Sequence, residues 1–155
     1  MNLLPRINVV NLLVRALMLI AFSASPLMAD YFNPAVAADS RGPVFWLDQG
    51  GLFATYGNYS RAVEAFKKAL ALDENLSEAH YDIALAYGEL GELDQAIAEI
   101  NRAITLDSGQ SRFYYGRAWI LLKSGRNTEA LSDFQKAADM GNLDAIAYLK
   151  GSGMN

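Results

Sequence analysis

The sequence predicts an all-α fold built as an array of stacked helix pairs, and three observations carry the prediction. Small and large residues recur at a fixed spacing of 34: Gly57, Gly91 and Gly125; Ala62, Ala96 and Ala130; Phe66, Ile100 and Phe134; Ala69, Ala103 and Ala137. A period of that length marks one supersecondary unit stacked on copies of itself. Within each period apolar residues recur at helical spacing, a glycine interrupts, and a second helix of similar length runs to an Asp or Gly. The chain of 155 residues is 52% hydrophobic and 11% aromatic, enough apolar side chain to fill the layers of such an array.

The first 29 residues stand apart from the array. Arg6 and Arg15 precede an uncharged apolar run from Ala16 to Phe22, after which residues 23–29 turn small and carry Pro26. That is the three-part layout of a secretory signal peptide. A membrane-spanning helix needs about 20 consecutive apolar residues, and the stretch between Arg15 and Pro26 is half that length. A cleaved signal is therefore favoured over an uncleaved inner-membrane anchor at residues 8–29, with cleavage fitting best between Ala29 and Asp30. The expected location is outside the inner membrane, in a bacterial periplasm. Contact with a membrane is expected only if the segment is retained.

Cysteine is absent, which excludes disulfides, thiolate metal sites, cysteine nucleophiles and lipid attachment through cysteine. The charge balance of 13 basic against 17 acidic side chains is mildly acidic, the wrong sign for a nucleic-acid binder. Residues 30–42 hold Pro34, Gly42 and small side chains without helical period, and read as a linker.

The repeats follow as residues 43–76, 77–110 and 111–144. Gly57, Gly91 and Gly125 are placed to close the first helix of each pair, where a left-handed residue costs glycine nothing. Gly50, Ala84 and Ala118, with Ala62, Ala96 and Ala130, are small where the two helices of a pair approach. Phe53, Tyr87 and Leu121 with Phe66, Ile100 and Phe134 fill the layer between helices, and Ala69, Ala103 and Ala137 leave space for the next pair. Residues 143–151 predict a short terminal helix capped by Asn142 and ended by Gly151, with Leu143, Ile146 and Leu149 near one face. It either covers the last repeat or is exchanged with a neighbouring molecule.

These residues resemble the tetratricopeptide repeat, whose pattern is W-x-x-L-G-x-x-Y, then A-x-x-x-F, then A, then P. Trp46, Gly50, Phe53, Ala62, Phe66 and Ala69 match in the first copy; Ala84, Tyr87, Ala96 and Ala103 in the second; Tyr114, Ala118, Ala130, Phe134 and Ala137 in the third. The resemblance implies a right-handed solenoid. Two departures stand out. Glu74, Ser108 and Asn142 occupy the closing-proline position, which implies looser turns between repeats. Gln49 and Arg117 stand where a leucine is usual, which implies frayed outer copies or polar ends that contact a partner.

No catalytic constellation is visible, and no enzyme, cofactor or small-molecule substrate is expected. The lone histidine, His80, occupies the repeat position of Trp46 and Tyr114, and packing explains it better than ligation. No glycine-rich run has the spacing of a phosphate loop, so no metal or nucleotide site is expected.

The resemblance implies that the first helices line a concave groove. The positions facing it are Val44, Leu47, Gly51 and Ala54, then Glu78, Tyr81, Asp82, Leu85 and Glu89, then Arg112, Tyr115, Trp119, Leu122 and Lys123. Leu47, Tyr81, Leu85, Tyr115 and Trp119 form an apolar and aromatic strip, with Tyr81 and Tyr115 expected to stack on neighbouring rungs. Large amphipathic rings in a groove are typical binding hot spots, although for any single ring interhelical packing explains its presence equally well.

Charge divides along the array. The second copy carries one basic and seven acidic residues, the third five basic and four acidic. Glu78, Asp82 and Glu89 are thus placed to receive a basic segment, and Arg112 and Lys123 an acidic group. The family members that clamp acidic chaperone tails use a Lys, two Asn, a Lys and an Arg, at positions that hold Leu47, Gly51, Asp82, Arg112 and Gly116 here. Only Arg112 keeps the charge. The expected function is an exported interaction module holding a protein or peptide segment in its groove; the alternative is a structural element that forms homo-oligomers through its repeat ends, using Gln49, Arg117 and the terminal helix.

Overall fold

The computed structural model describes residues 41–153. The signal segment and nearly all of the linker fall outside the described residues. Among them the structure holds seven helices in antiparallel succession: α1 (Pro43–Thr55), α2 (Tyr59–Leu72), α3 (Ser77–Leu90), α4 (Leu93–Leu106), α5 (Ser111–Lys123), α6 (Asn127–Asp139) and α7 (Leu143–Gly151). Each odd helix packs on the even helix after it, each even helix on the next pair, and α3 touches both α1 and α5. The architecture is an all-α repeat solenoid. No helix among the described residues is long and apolar enough to cross a membrane.

The turn inside each pair is made the same way three times. Gly57, Gly91 and Gly125 adopt φ of 73°, 80° and 78°, and the amide after each donates back five residues, from Asn58 to Phe53, Glu92 to Tyr87 and Arg126 to Leu121. This closure satisfies carbonyls that the helix end would leave bare. Gly141 (φ 84°), after α6, repeats it, with Asn142 donating to Ala137.

The interhelical layer is filled as the spacing predicts. Ala62, Ala69, Ala84, Ala96, Ala103, Ala118, Ala130 and Ala137 are fully buried, and Phe66, Ile100 and Phe134 are at most 1% exposed. Gly50 shows why small size matters: a Cβ there would lie 2.3 Å from the Phe66 ring. Ala118 is tolerated at the same position of the third repeat, where the Phe134 ring stacks instead on Tyr148 of α7, centroids 4.0 Å apart.

Three expectations are corrected. The turns between repeats are held without proline: Asp73 Oδ1 accepts the Asn75 amide, and Asp107 Oδ1 accepts the Gly109 amide, each at 3.0 Å, while Gln110 Nε2 donates to Asp107 Oδ2 at 2.9 Å. The bonds from Gln110 and then Gly109 hold the Asp107 carboxyl below the usual carboxylate range. Arg117 is no frayed end. Its guanidinium grips buried Asp133 of α6 through two bonds of 2.6 and 2.8 Å and reaches Asn101 of α4 at 2.7 Å, tying the second repeat to the third. The terminal helix packs on α6 of its own chain and starts on Asn142, whose side chain accepts the Ala145 amide. Its inner face is Ala145, Tyr148 and Leu149, whereas Leu143 is 78% exposed. Gly151 is its last helical residue, and the left-handed glycine is Gly153.

Candidate functional site

The odd helices α1, α3 and α5 run side by side, so residues 34 apart share a level on neighbouring rungs. Leu47, Tyr81 and Tyr115 occupy one level, Leu85 and Trp119 another; Leu85 is 37% and Trp119 40% exposed, while the other three are half-buried. Among the described helices none packs across Leu47, Tyr81 and Leu85, while α7 reaches the Trp119 end of this face through Tyr148.

The aromatic residues divide into two groups. Tyr81 lies against Phe113, centroids 5.0 Å apart, and not on Tyr115 as the spacing suggested. Its neighbour across the rung is Gly116, where a Cβ would come within 2.9 Å of its ring and 3.3 Å of Ile100. The absent side chain lets Tyr81 lean onto α5. Burial, first among the causes, pushes the Tyr81 hydroxyl up from its ordinary range.

Tyr115 and Trp119 belong to a cluster of edge-to-face contacts. Their centroids are 6.2 Å apart; Tyr115 stands 5.7 Å and Trp119 5.6 Å from Phe134, and Trp119 stands 5.4 Å from Tyr148. Trp119 therefore helps to anchor α7 to the third repeat, and Tyr115 supports it through Phe134, so both rings take part in interhelical packing. Tyr148 was missed in the sequence because it lies beyond the last full period.

The charged residues are rearranged more deeply. Arg112 bonds Glu78 across the rung, its guanidinium also lying 5.3 Å from the Tyr81 ring. Lys123 Nζ donates to Glu89 Oε1 at 2.8 Å and to the Gly88 carbonyl at 3.3 Å. Both ion pairs link residues 34 apart. The acids and bases read as oriented towards a ligand are thus committed to one another, and the one cation surviving from the chaperone-clamp pattern, Arg112, is already held.

Asp82 is the exception. Among the described residues it makes no salt bridge or hydrogen bond, and its carboxyl is pushed up to about 6, first by burial and then by Glu78, with Arg112 opposing. Asp48 holds the same repeat position on α1, is exposed, and likewise has no ion pair among the described residues. Sequence reasoning passed over Asp48, although the 34-residue period marks it directly.

The remaining polar residues serve packing. The Nδ1–H of buried His80 donates to Glu99 Oε2 at 2.6 Å, and Arg102 holds the other oxygen at 3.0 Å. No group of three or more metal-ligating side chains converges among the described residues. Behind the odd helices a polar cleft of about 290 Å³ lies between Ile97, Asn101, Arg117 and Glu129, lined by charges that already pair internally.

Comparison with known proteins places these features. Sequence profiles described as "Tetratricopeptide repeat" and "TPR repeat" match residues 81–145 and 52–91. No curated protein sequence matches the chain. Among solved structures, the second TPR domain of human RPAP3 in complex with HSP70 peptide SGPTIEEVD is 27% identical, covering 71% of this chain and 97% of that one, with a TM-score of 0.63. The first TPR of Spaghetti (RPAP3), bound to HSP90 peptide SRMEEVD, is 20% identical over 70% of this chain and 88% of the other, TM-score 0.66. MamA is 24% identical over 78% of this chain and 74% of its own, TM-score 0.66. With its helices, turns and interhelical layer in the same repeated register, the chain belongs to the tetratricopeptide-repeat family.

Proposed function

We propose that this protein is an exported interaction module whose odd-helix face, from Leu47 through Tyr81 and Leu85 to Tyr115 and Trp119, binds a segment of another protein. The observation that carries it is a face at once apolar and partly exposed, with no further described helix packed over Leu47, Tyr81 and Leu85 and only Tyr148 of α7 reaching its Trp119 end. An uncovered strip of large apolar side chains is costly to leave in water and supplies hot-spot area when a partner covers it. The similar RPAP3 domain was solved holding a peptide, which supports the same mode here. The peptide in that complex is acidic, and this face lacks the free cations such a ligand needs.

Export rests on the layout of Arg15, the apolar run and Ala29. N-terminal sequencing of the protein recovered from its compartment checks it, with Asp30 as the expected first residue. Self-association through the repeat ends loses its main support, since Arg117 and α7 are engaged within the chain.

The binding face is tested by placing a photo-cross-linking residue at position 85 and, as control, at position 102 on α4, where Arg102 is exposed. Capture of a partner from position 85 and not from 102 is expected. Equal capture from both, or capture from 102 alone, refutes the assignment.

A further inference from the structure

Resting on that reading of the face, we propose that its partner segment is basic: an extended stretch carrying lysine or arginine side chains two or three residues apart, held by Asp82 and Asp48 on successive rungs, with Leu47, Tyr81 and Leu85 taking the apolar residues between. The selection follows from which charges are free. Glu78 and Glu89 are neutralised by Arg112 and Lys123, so the ends of the α3–α5 seam present no net charge. Asp82 and Asp48 remain outside every ion pair among the described residues, and the next rung has Gly116, not a charge, at their level.

The spacing suits an extended chain. Packed helices lie about 8–10 Å apart, and an extended segment advances about 3.3 Å per residue, so side chains two or three residues apart span about 7–10 Å. An anionic ligand meets the opposite situation. Its carboxylate would approach Asp82 with Arg112 already occupied, and like charge brought together on docking is a strong negative selector.

The groups facing Asp82 sharpen the expectation. From its own helix Glu78 raises its carboxyl, and from α5 Arg112 lowers it less than burial and Glu78 raise it. A ligand cation offsets the cost of burial and the repulsion from Glu78 by pairing with the carboxylate. Binding is therefore expected to strengthen as pH rises through about 6 and to level off above, since only the ionised carboxyl attracts the cation.

The test uses the full chain with a fluorescent synthetic peptide that alternates Lys with Leu and Phe, and a twin carrying Glu for every Lys. Fluorescence anisotropy should show the lysine peptide bound about tenfold or more tighter than its twin. Asp82→Asn and Asp48→Asn should each weaken it by about threefold to fivefold, the range of a single partly exposed ion pair. Glu64→Gln and Asp94→Asn, which remove exposed acids from the even helices, should leave it unchanged. Equal binding of the twins, equal losses from the control variants, or no binding of the lysine peptide each overturns the proposal. If the lysine peptide fails while a cross-linker at position 85 still captures a partner, the basic specificity falls and the binding face stands; if both fail, the face falls with it.

Discussion

Two adjacent glycines in α1 should respond to alanine with opposite signs. At Gly50 an added Cβ would meet Phe66 Cε1 at 2.3 Å and Cδ1 at 2.4 Å, against an ordinary carbon contact of about 3.5–4.0 Å. The ring must retreat by more than about 1 Å, yet it is 1% exposed and walled by Ala62, Val63, Ile83 and Ala86. Overpacking of this kind costs about 1–3 kcal/mol, and the upper end applies because the obstacle is a closed-in ring. Alanine returns about 1 kcal/mol through helix propensity, leaving Gly50→Ala destabilised by about 2 kcal/mol. At Gly51 nothing lies within 4 Å and the residue is exposed, so only the propensity gain of about 1 kcal/mol remains. Urea and thermal unfolding followed by circular dichroism should show Tm falling by about 8 °C for Gly50→Ala and rising by about 4 °C for Gly51→Ala. A Gly50→Ala protein as stable as the parent would refute the account of the interhelical layer, because it would mean that Phe66 moves freely.

Three further outcomes are expected. Arg117→Met strands the Asp133 carboxylate in a buried site and should cost about 3 kcal/mol by urea unfolding, most of which Asp133→Leu added to it should restore; an unchanged midpoint in the single variant would refute the bridging role of this pair. Trp119→Ala should lower stability by about 2 kcal/mol, because its ring supports Phe134 and Tyr148, and a protein melting like the parent would show that the aromatic cluster is idle. Asp82→Asn should stabilise the fold by about 1 kcal/mol at pH 8, after allowance for solvent screening, and by almost nothing at pH 3: the raised carboxyl is disfavoured as an anion, so its cost is absent below the ordinary carboxylate range and complete once pH has passed about 6. Equal effects at both pH values would contradict this sign.

Much of the fold was legible because the repeat imposes it locally. The left-handed glycines and the alternation of small and large side chains are set by contacts within a pair of helices, and these recur at a readable interval. The candidate site was legible only in outline. Periodicity places Glu78 and Arg112 at one level, and Glu89 and Lys123 at another, but it does not say whether such charges face a ligand or each other. That depends on how far one rung stands from the next, which here brings each pair into contact. Whether Tyr115 and Trp119 pack or stand free could not be read from the period, because Tyr148 of α7, which joins their cluster, lies outside the repeated pattern.

The sequence by itself determined the helical array, its pairing and its turns, since a 34-residue echo of glycine, alanine and aromatic positions has few physical solutions. Tertiary structure alone decided which polar groups are spent. Arg117 with Asp133, Arg112 with Glu78, and Lys123 with Glu89 are joined by side chains that meet between different helices, the last two pairs across neighbouring repeats. What those pairs leave over on the odd-helix face, Asp82 and Asp48 beside the apolar strip, becomes visible only once Arg112 and Lys123 are joined to Glu78 and Glu89, because net surface charge is a property of the packed array and not of any single repeat.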